Sequence, residues 1–329
     1  MPFTRIIKKA AILIAVTLAL TSCGTQSNPS GTNTGNNDPV TIVFIGESSS
    51  TDVIWSYRAD RMREEAKRLG AEFVDRYAEG DYTRQAQMIE EEVARGVDAI
   101  IAPFFDPTVA NAAVTKALDN GVAVYALLGA PELPPEQMSK IAVALTDWGD
   151  VGAMLAGVAE PYLSDGDTVV WPAEAPEGTY ITDAVAEFTS KLSSGGKTIH
   201  VEVLNATGDP TMAASNILSY LVSHPDTAAL VTSGAIAIGA ANTAMKQGGL
   251  KVGNPPLFGQ VVNPSSSEGI MNGFMPSGVN LELTESSYEA VRAVIEMTKT
   301  GTVPDPVSVP LVVVTIDNIE TTVPEALRK

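Results

Sequence analysis

Apolar runs alternate with amphipathic stretches along most of the chain. In the first half, apolar runs predict strands near residues 40–45, 73–77, 97–102, 122–127 and 141–145. Apolar residues with helical spacing fill the intervals, over residues 53–69, 82–94 and 107–120. A glycine stop signal follows each helical stretch, at Gly70, Gly96 and Gly121. Continuous apolar strands that alternate with amphipathic helices predict a parallel sheet that is covered on both faces.

The same alternation restarts in the second half of the chain. Strands are predicted near residues 168–171, 198–204, 228–232 and 257–260, and helices over residues 179–193, 211–224 and 235–247. The pattern therefore predicts an α/β protein with two doubly wound, parallel-sheet units in series. Ligands bind at the carboxyl ends of the strands in such sheets, so two facing units place those ends around one cleft.

The N-terminus has a different pattern. Arg5, Lys8 and Lys9 precede an apolar run over residues 10–20, which is about half the length that a membrane-spanning helix needs. This arrangement is typical of a secretion signal. The following Leu20-Thr21-Ser22-Cys23 resembles a bacterial lipobox, in which the chain is cut before the cysteine and the sulfur receives a lipid. The resemblance implies a lipoprotein signal peptide over residues 1–22 and lipidation of Cys23, with an ordinary signal peptide as the alternative.

Composition narrows the class of protein further. Residues 24–37 carry no charge and almost no apolar side chain, so residues 23–37 are expected to form a flexible tether. The formal net charge of −18 disfavours nucleic acid as a partner, because such binding needs a basic face. Cys23 is the single cysteine, which fits an exported protein without disulfides. The length of the body suggests two domains.

Several short motifs have the order and spacing of the type I periplasmic binding proteins, and the body resembles their sugar-binding branch, which includes ribose-binding protein. The motifs are Asp81-x-x-x-Gln85, Gly96-Val97-Asp98-Ala99, Pro103-x-x-Asp106-Pro107, Thr146-Asp147, His224-Pro225-Asp226, Ala237-Ile238-Gly239-Ala240 and Val313-Val314-Thr315. The resemblance implies two lobes that are joined by a three-stranded hinge and close around a ligand. It assigns residues 38–146 and 283–306 to lobe 1, and residues 147–282 and 307–329 to lobe 2.

Aromatic residues fall where the resemblance places the cleft. Because aromatic rings stack on the C–H faces of sugar rings, these residues are candidate ligand contacts. They are Trp55 after the first strand, Phe104 or its neighbour Phe105, Trp148 where the chain is expected to cross first from one lobe to the other, Trp171 and Tyr180. For Trp171, packing in the core is an equally weighted alternative.

The polar candidates are Glu47, Asp147, Glu174, Ser233, Gln260, Asn263, Asn280 and Glu282. The sequence departs here from sugar-binding relatives, which have an Asp-Arg pair where this chain has Tyr125-Ala126-Leu127, and an Asn-Asp pair where it has Ser233-Gly234. Arg58 is the one candidate for an arginine clamp, so phosphorylated and carboxylated ligands are disfavoured. A neutral sugar or polyol is expected first, and a small cationic amine second.

The resemblance implies a solute-binding lipoprotein of an ABC importer. It would be a monomer, exported and anchored by the lipid on Cys23 to the cell membrane, at its periplasmic side or outer face, and would deliver its ligand to an ABC permease. A sensory subunit that presents the ligand to a receptor kinase is the alternative.

An enzyme is not expected, and no cofactor or metal is implied. His200, in an apolar strand, and His224, at a helix end, are expected to be structural. A glycoside hydrolase remains a third alternative, which requires two carboxylates among Asp147, Glu174 and Glu282 to lie ~5–9 Å apart.

Overall fold

Strands and helices alternate along residues 38–329, the part of the chain that the computed structural model describes. The predicted signal peptide, the tether and Cys23 lie outside the described residues. The strands are β1 Thr41–Gly46, β2 Glu72–Tyr77, β3 Ala99–Pro103, β4 Ala123–Leu128, β5 Ile141–Leu145, β6 Thr168–Ala173, β7 His200–Asn205, β8 Ala229–Thr232, β9 Leu257–Gly259, β10 Gly278–Leu281, β11 Val307–Ser308 and β12 Leu311–Val314. The α-helices are α1 Val53–Leu69, α2 Tyr82–Arg95, α3 Asn111–Asp119, α4 Pro135–Met138, α5 Trp148–Ala159, α6 Thr179–Ser194, α7 Pro210–Ser223, α8 Ala235–Gln247, α9 Pro264–Met271, α10 Leu283–Thr300 and α11 Ile319–Thr322.

The first sheet has the strand order β11-β5-β4-β3-β1-β2, and all its pairs are parallel. The strands β1, β3, β4 and β5 are buried almost throughout because helices cover both faces. Alternate side chains pack against α1 and α10 on one face and against α2 and α3 on the other. Burial of both faces of the sheet thus explains why these strands appear in the sequence as short, continuous apolar runs.

The second sheet has the order β7-β6-β8-β9 and is also parallel. Its faces are covered by α5 and α6 on one side and by α7 and α8 on the other. The two parallel sheets with helices on both faces confirm the predicted α/β fold class. No helix of the described part of the chain combines the length and the apolar character needed to cross a bilayer.

Strands β10 and β12 form a third sheet, which is two-stranded and antiparallel. Three segments connect the first sheet and its helices to this small sheet and to the helices of the second sheet. Residues 146–147 link β5 to α5, Glu282 links β10 to α10, and residues 309–310 link β11 to β12. The segments are joined by backbone hydrogen bonds, from the Val309 N–H to the Leu145 carbonyl at 3.0 Å and from the Glu282 N–H to the Pro310 carbonyl at 2.9 Å. We call these three segments the hinge.

The lobe boundaries remain a prediction, and one pairing bears on them. Val307 and Ser308 were assigned to lobe 2, but they pair with β5 in the first sheet. Because β11 pairs with β5 in the first sheet, the third segment that crosses between the lobes lies at residues 309–310. This is a few residues later than the predicted boundary.

Two local expectations need correction. The predicted helix over residues 107–120 begins only at Asn111. Asp106 instead accepts hydrogen bonds from the Thr108 and Val109 N–H groups, which forms a turn before the helix. His200 is exposed at the start of β7, which lies at the edge of its sheet, so the expected apolar setting of this side chain is wrong.

At Gly152, the helices α5 and α6 lie so close together that a side chain would not fit between them. A Cβ atom added at Gly152 would lie 2.1 Å from the Ala184 carbonyl oxygen, whereas one added at Gly157 in the same helix meets no atom within 4 Å. Packing therefore requires glycine at position 152 but not at position 157.

We expect Gly152→Ala to lower the free energy of unfolding by about 1–3 kcal/mol, because α5 must shift to relieve the overlap. Gly157→Ala is the matched control. It is expected to raise the free energy of unfolding by up to about 1 kcal/mol, because alanine has the higher helix propensity. Chemical denaturation of both variants measures the difference. Equal effects of the two substitutions would contradict the close packing of α5 on α6.

Candidate ligand-binding cleft

The candidate cleft lies at the carboxyl ends of the strands in the two sheets. Tyr82 at the start of α2 follows a strand of the first sheet, and Tyr180 at the start of α6 follows a strand of the second. Burial raises the pKa of Tyr180, and the charges of Glu174 and Tyr82 raise it further, so the two tyrosines lie near each other. Parallel sheets place their binding sites at these edges.

Aromatic rings and one carboxylate line the cleft on the side of the first sheet. The Trp55 ring lies 6.1 Å from Phe44 and 6.2 Å from Phe105, measured between ring centroids. Trp55 is only 5% exposed, whereas Phe105 is 38% exposed. Phe104 turns inward and is 2% exposed, so Phe105 is the member of the pair that is available to a ligand.

Glu47 directly follows β1 and lies half-buried beside Trp55. Burial and the nearby charge of Asp52 raise the pKa of the Glu47 carboxyl, against the opposing effect of a hydrogen bond from the Trp55 side chain. Glu47 and Asp106 in turn contribute to raising the pKa of Tyr82, after the larger effect of burial. Glu47 is thus a carboxylate that is held partly out of water and forms no ion pair with any Lys, Arg or His among residues 38–329.

Glu174 occupies the equivalent place after β6 in the second sheet. Its Oε1 accepts a hydrogen bond from the Ile236 N–H at 3.4 Å, and the N–H groups of Ala235 and Ala237 also point to its carboxylate. The start of α8 therefore holds a negative charge supplied by the chain itself. Desolvation nevertheless raises the pKa of Glu174, and its Oε2 is buried without a hydrogen-bond partner among the described residues.

Three other predicted residues of the second sheet form one hydrogen-bonded group. The Gln260 side-chain amide donates to the Ser233 carbonyl, and the Ser233 hydroxyl donates to the Tyr180 carbonyl. The Tyr180 ring lies 5.8 Å from that of Trp148, and both are half-buried. The group fixes the loops after β8 and β9 and supports the aromatic pair Trp148–Tyr180 at the cleft.

The predicted residues near the hinge have structural partners. Asp147 caps α5 by accepting from the Asp150 N–H at 3.1 Å. Glu282 caps α10, since its Oε1 accepts from the Thr284 and Glu285 N–H groups at 3.1 Å each. The Asn280 side chain is buried in β10, and its Oδ1 has no hydrogen-bond partner among the described residues.

Arg58 lies beneath the cleft, one helical turn after Trp55. It is 0% exposed, and none of its side-chain nitrogens has a hydrogen-bond partner within residues 38–329. Burial lowers the pKa of its guanidinium to about 10, against the opposing effects of Tyr125 and Glu282. The side chain is enclosed between α1 and the first sheet, so it does not present a clamp to a ligand in the cleft.

Trp171 belongs to the core of the second sheet. It is 0% exposed, and its ring packs edge-on against Phe188 with the centroids 5.4 Å apart. We therefore leave Trp171 and Phe104 out of the proposed site and treat them as packing residues. Tyr82 was missed from the sequence, although its position directly after the helix cap Asp81 at a strand end was a usable signal.

A groove of about 500 Å³ lies beside the hinge. It is lined by Asp147, Asp150, Ala153, Met154, Lys191 and residues 308–311. Its lining contains none of the aromatic candidates, and we place the candidate site at the strand ends where those rings lie. Within residues 38–329, no group of His, Cys, Asp and Glu side chains has a metal-binding arrangement.

Two parallel sheets with aromatic residues at their carboxyl edges, joined by three hinge segments, have the architecture of a solute-binding protein. The chain belongs to the periplasmic binding protein family, because the family model described as "Periplasmic binding protein domain" matches residues 42–302. This is a family of substrate-binding proteins and not of enzymes. No curated protein sequence is significantly similar to the chain.

Solved structures share the fold at low sequence identity. A Caulobacter myo-inositol binding protein bound to myo-inositol is 19% identical with a TM-score of 0.75, over 88% of this chain and 97% of that one. An ABC transporter solute-binding protein from Agrobacterium vitis with bound D-fucose is 19% identical with a TM-score of 0.76, over 88% and 99%. A periplasmic ribose ABC transporter protein from Conexibacter woesei is 18% identical with a TM-score of 0.75, over 87% and 95%.

We expect Glu47→Gln to raise the free energy of unfolding at neutral pH by roughly 0.5 kcal/mol. The pKa of Glu47 is raised in the folded protein, so the folded state binds the proton more tightly than the unfolded state does. The stability contributed by this group therefore falls as pH rises from about 4.3, the ordinary glutamate pKa, through the raised value.

The gain from Glu47→Gln should accordingly shrink toward acidic pH. Thermal melts of the wild type, Glu47→Gln and the exposed control Glu72→Gln between pH 4 and pH 8 measure this dependence. A Glu47→Gln variant that is less stable than the wild type at neutral pH would show that the carboxylate stabilises the fold.

Proposed function

We propose that the protein is an extracytoplasmic solute-binding lipoprotein of an ABC importer, which binds a sugar or polyol in the cleft by hinge closure. The observation that carries the proposal is the presence of aromatic residues at the carboxyl ends of the strands on both sides of the hinge, Phe105 on one side and the pair Trp148–Tyr180 on the other. A ligand that contacts both edges favours the closed arrangement over the open one.

The chemistry of the cleft supports a carbohydrate-like ligand. The exposed ring of Phe105 and the pair Trp148–Tyr180 offer flat apolar faces of the kind that stack on sugar rings. Glu47 and Glu174 add acceptors for hydroxyl groups. The solved structures with the same fold include proteins bound to myo-inositol and D-fucose, which agrees with a small polyhydroxylated ligand.

The hinge supports closure as a movement between two rigid bodies. Its segments are short, and backbone hydrogen bonds join them, so a small change of backbone angles at residues 146–147, Glu282 and residues 309–310 would rotate one sheet relative to the other. The closed form would present the rims of both lobes to a permease. The predicted lipid on Cys23 would hold the monomer at the cell membrane.

We expect a ligand of this class to compact the protein and to stabilise it. At about 100 times its dissociation constant, the ligand adds roughly 2.7 kcal/mol to the free energy of unfolding. Thermal melts with myo-inositol, D-fucose, D-ribose and related sugars identify binders, and X-ray scattering with each binder tests for a smaller radius of gyration. Binding without compaction, or release of a product from a glycoside, would overturn the proposal.

Trp148→Leu should weaken binding about tenfold, since it removes one stacking face from the cleft. Tyr162→Leu is the matched control. Tyr162 is also an aromatic residue that packs on one other ring, that of Phe258 at 5.3 Å, but it lies before β6 at the opposite edge of the second sheet. Calorimetric titration of both variants with a binder from the screen measures the effect, and equal losses would argue against the placement of the cleft.

Cys23→Ser should abolish lipidation and release the protein from the membrane. Expression of both forms in a bacterial host, followed by detergent phase partition and mass spectrometry of the mature N-terminus, checks this expectation. An unmodified wild-type N-terminus would favour the ordinary signal peptide instead.

A further inference from the structure

Arg58 is a fully buried cation without a hydrogen-bonded partner in the described part of the chain. Its side chain is 0% exposed, and its Nε, Nη1 and Nη2 atoms all lack a hydrogen-bond partner among residues 38–329. Burial lowers the pKa of the guanidinium to about 10, which leaves the group charged at neutral pH. A guanidinium carries five N–H donors and no acceptor, so it needs partners that accept hydrogen bonds.

The other buried charges of this protein are paired. Among residues 38–329, the charged side chains that are buried belong to Arg58, Glu65 and Glu92. Glu65 forms ion pairs with Arg68 and Arg292, and Glu92 forms ion pairs with Arg76 and Arg95. Buried charges are normally paired in this way, because an isolated charge is strongly unfavourable away from water. Arg58 is therefore the exception that needs an explanation.

Arg58 stands on the side of α1 that faces the first sheet. Trp55, three residues earlier, and Met62, four residues later, are buried on the same side of the helix. Both belong to the core cluster that includes Tyr125 of β4. The helix α10 packs beside α1 and over the same face of the sheet. The Arg58 side chain is thus enclosed by two helices and the sheet.

Tyr125 supplies a second unpartnered polar group on this face of the sheet. Its side chain is 1% exposed, and its hydroxyl has no hydrogen-bond partner among the described residues. Its neighbours in register on the adjacent strands are Ile101 and Ala142, which have no polar side-chain atoms. Burial has the largest effect on the pKa of Arg58 and Tyr125 has the next largest, which agrees with this placement.

The Glu282 carboxylate does not supply the missing partner. Its charge opposes the lowering of the Arg58 pKa, but only after the effects of burial and Tyr125. Its Oε1 already accepts hydrogen bonds from the Thr284 and Glu285 N–H groups, at 3.1 Å each, where it caps α10. Glu282 is therefore engaged at the helix end, and the guanidinium is left with all its donors free among the described residues.

We propose that Arg58 and Tyr125 bind a small monovalent inorganic anion, of the size of chloride, between α1 and the first sheet. One guanidinium calls for one negative charge, and both groups can donate hydrogen bonds to it. Water would supply acceptors without the balancing charge. Enclosure of the side chain favours a small ion over a large one. The site lies apart from the ligand-binding cleft, so the inference does not rest on the proposed function.

Thermal melts in different sodium salts test the inference. At a constant ionic strength of about 0.15 M, we expect the protein to melt about 3 °C higher in chloride or bromide than in methanesulfonate. Methanesulfonate has the same charge but is larger, and constant ionic strength keeps the screening of surface charges equal. Equal melting temperatures in the three salts would overturn the inference.

Variants separate the buried site from a general effect of salt. Arg58→Met should remove the difference between chloride and methanesulfonate, and it is expected to fold because an apolar side chain replaces an unpaired charge. Tyr125→Phe should reduce the difference, since it removes one donor. Lys67→Met is the matched control, because it removes one positive charge from the exposed side of the same helix and should keep the wild-type difference. The same difference in all four proteins would contradict the site.

Crystals grown in sodium bromide locate the ion directly. We expect an anomalous peak within hydrogen-bond distance of the Arg58 guanidinium and the Tyr125 hydroxyl. Water molecules alone at this place, or bromide at the protein surface only, would overturn the inference. If Arg58→Met does not fold, the Tyr125→Phe variant and the bromide peak decide the matter. Failure of this inference would leave sugar binding in the cleft untouched, since none of these measurements involves the sugar.

Discussion

The parallel direction of the strands is the constraint on which the rest of this structure depends. Because every paired strand in the first and second sheets runs the same way, all their carboxyl ends lie at one edge of each sheet. The loops at that edge lead into helix N-termini, which attract carboxylates such as Asp52 and Asp147. One topological fact therefore brings together the aromatic residues, the acidic residues and the partial positive charges of the helices.

Carboxylates at this edge have two physical roles that the sequence does not separate. The N-caps stabilise a helix with hydrogen bonds that form within the folded chain. Glu47 receives a side-chain bond from Trp55, and Glu174 covers the start of a helix that lies sixty residues later. Residue type alone does not show which role a carboxylate has. The role depends on which strands lie next to each other in the fold. A sequence-based list of acidic residues consequently mixes caps with candidates for ligand binding.

Most of the fold was predictable because two-sided burial leaves a clear signal. Strands such as Ile141–Leu145 and helices such as Ala235–Gln247 match the apolar pattern to the residue. The cleft was less predictable, since an apolar pattern locates a strand end without showing which way a side chain turns. Phe104 and Phe105 illustrate this, because adjacent residues face the core and the cleft. The two-residue strand β11 has too little pattern to be seen, and only its pairing with β5 reveals it.

The charge of the cleft bears directly on how closure depends on ligand. If closure brings the acidic loops of the two sheets together, their like charges would oppose closure of an empty cleft, and would oppose it more as water is excluded. A ligand shifts a conformational equilibrium only by its difference in affinity for the two states. Repulsion in the empty form enlarges that difference, and it would keep the closed form scarce until the ligand arrives.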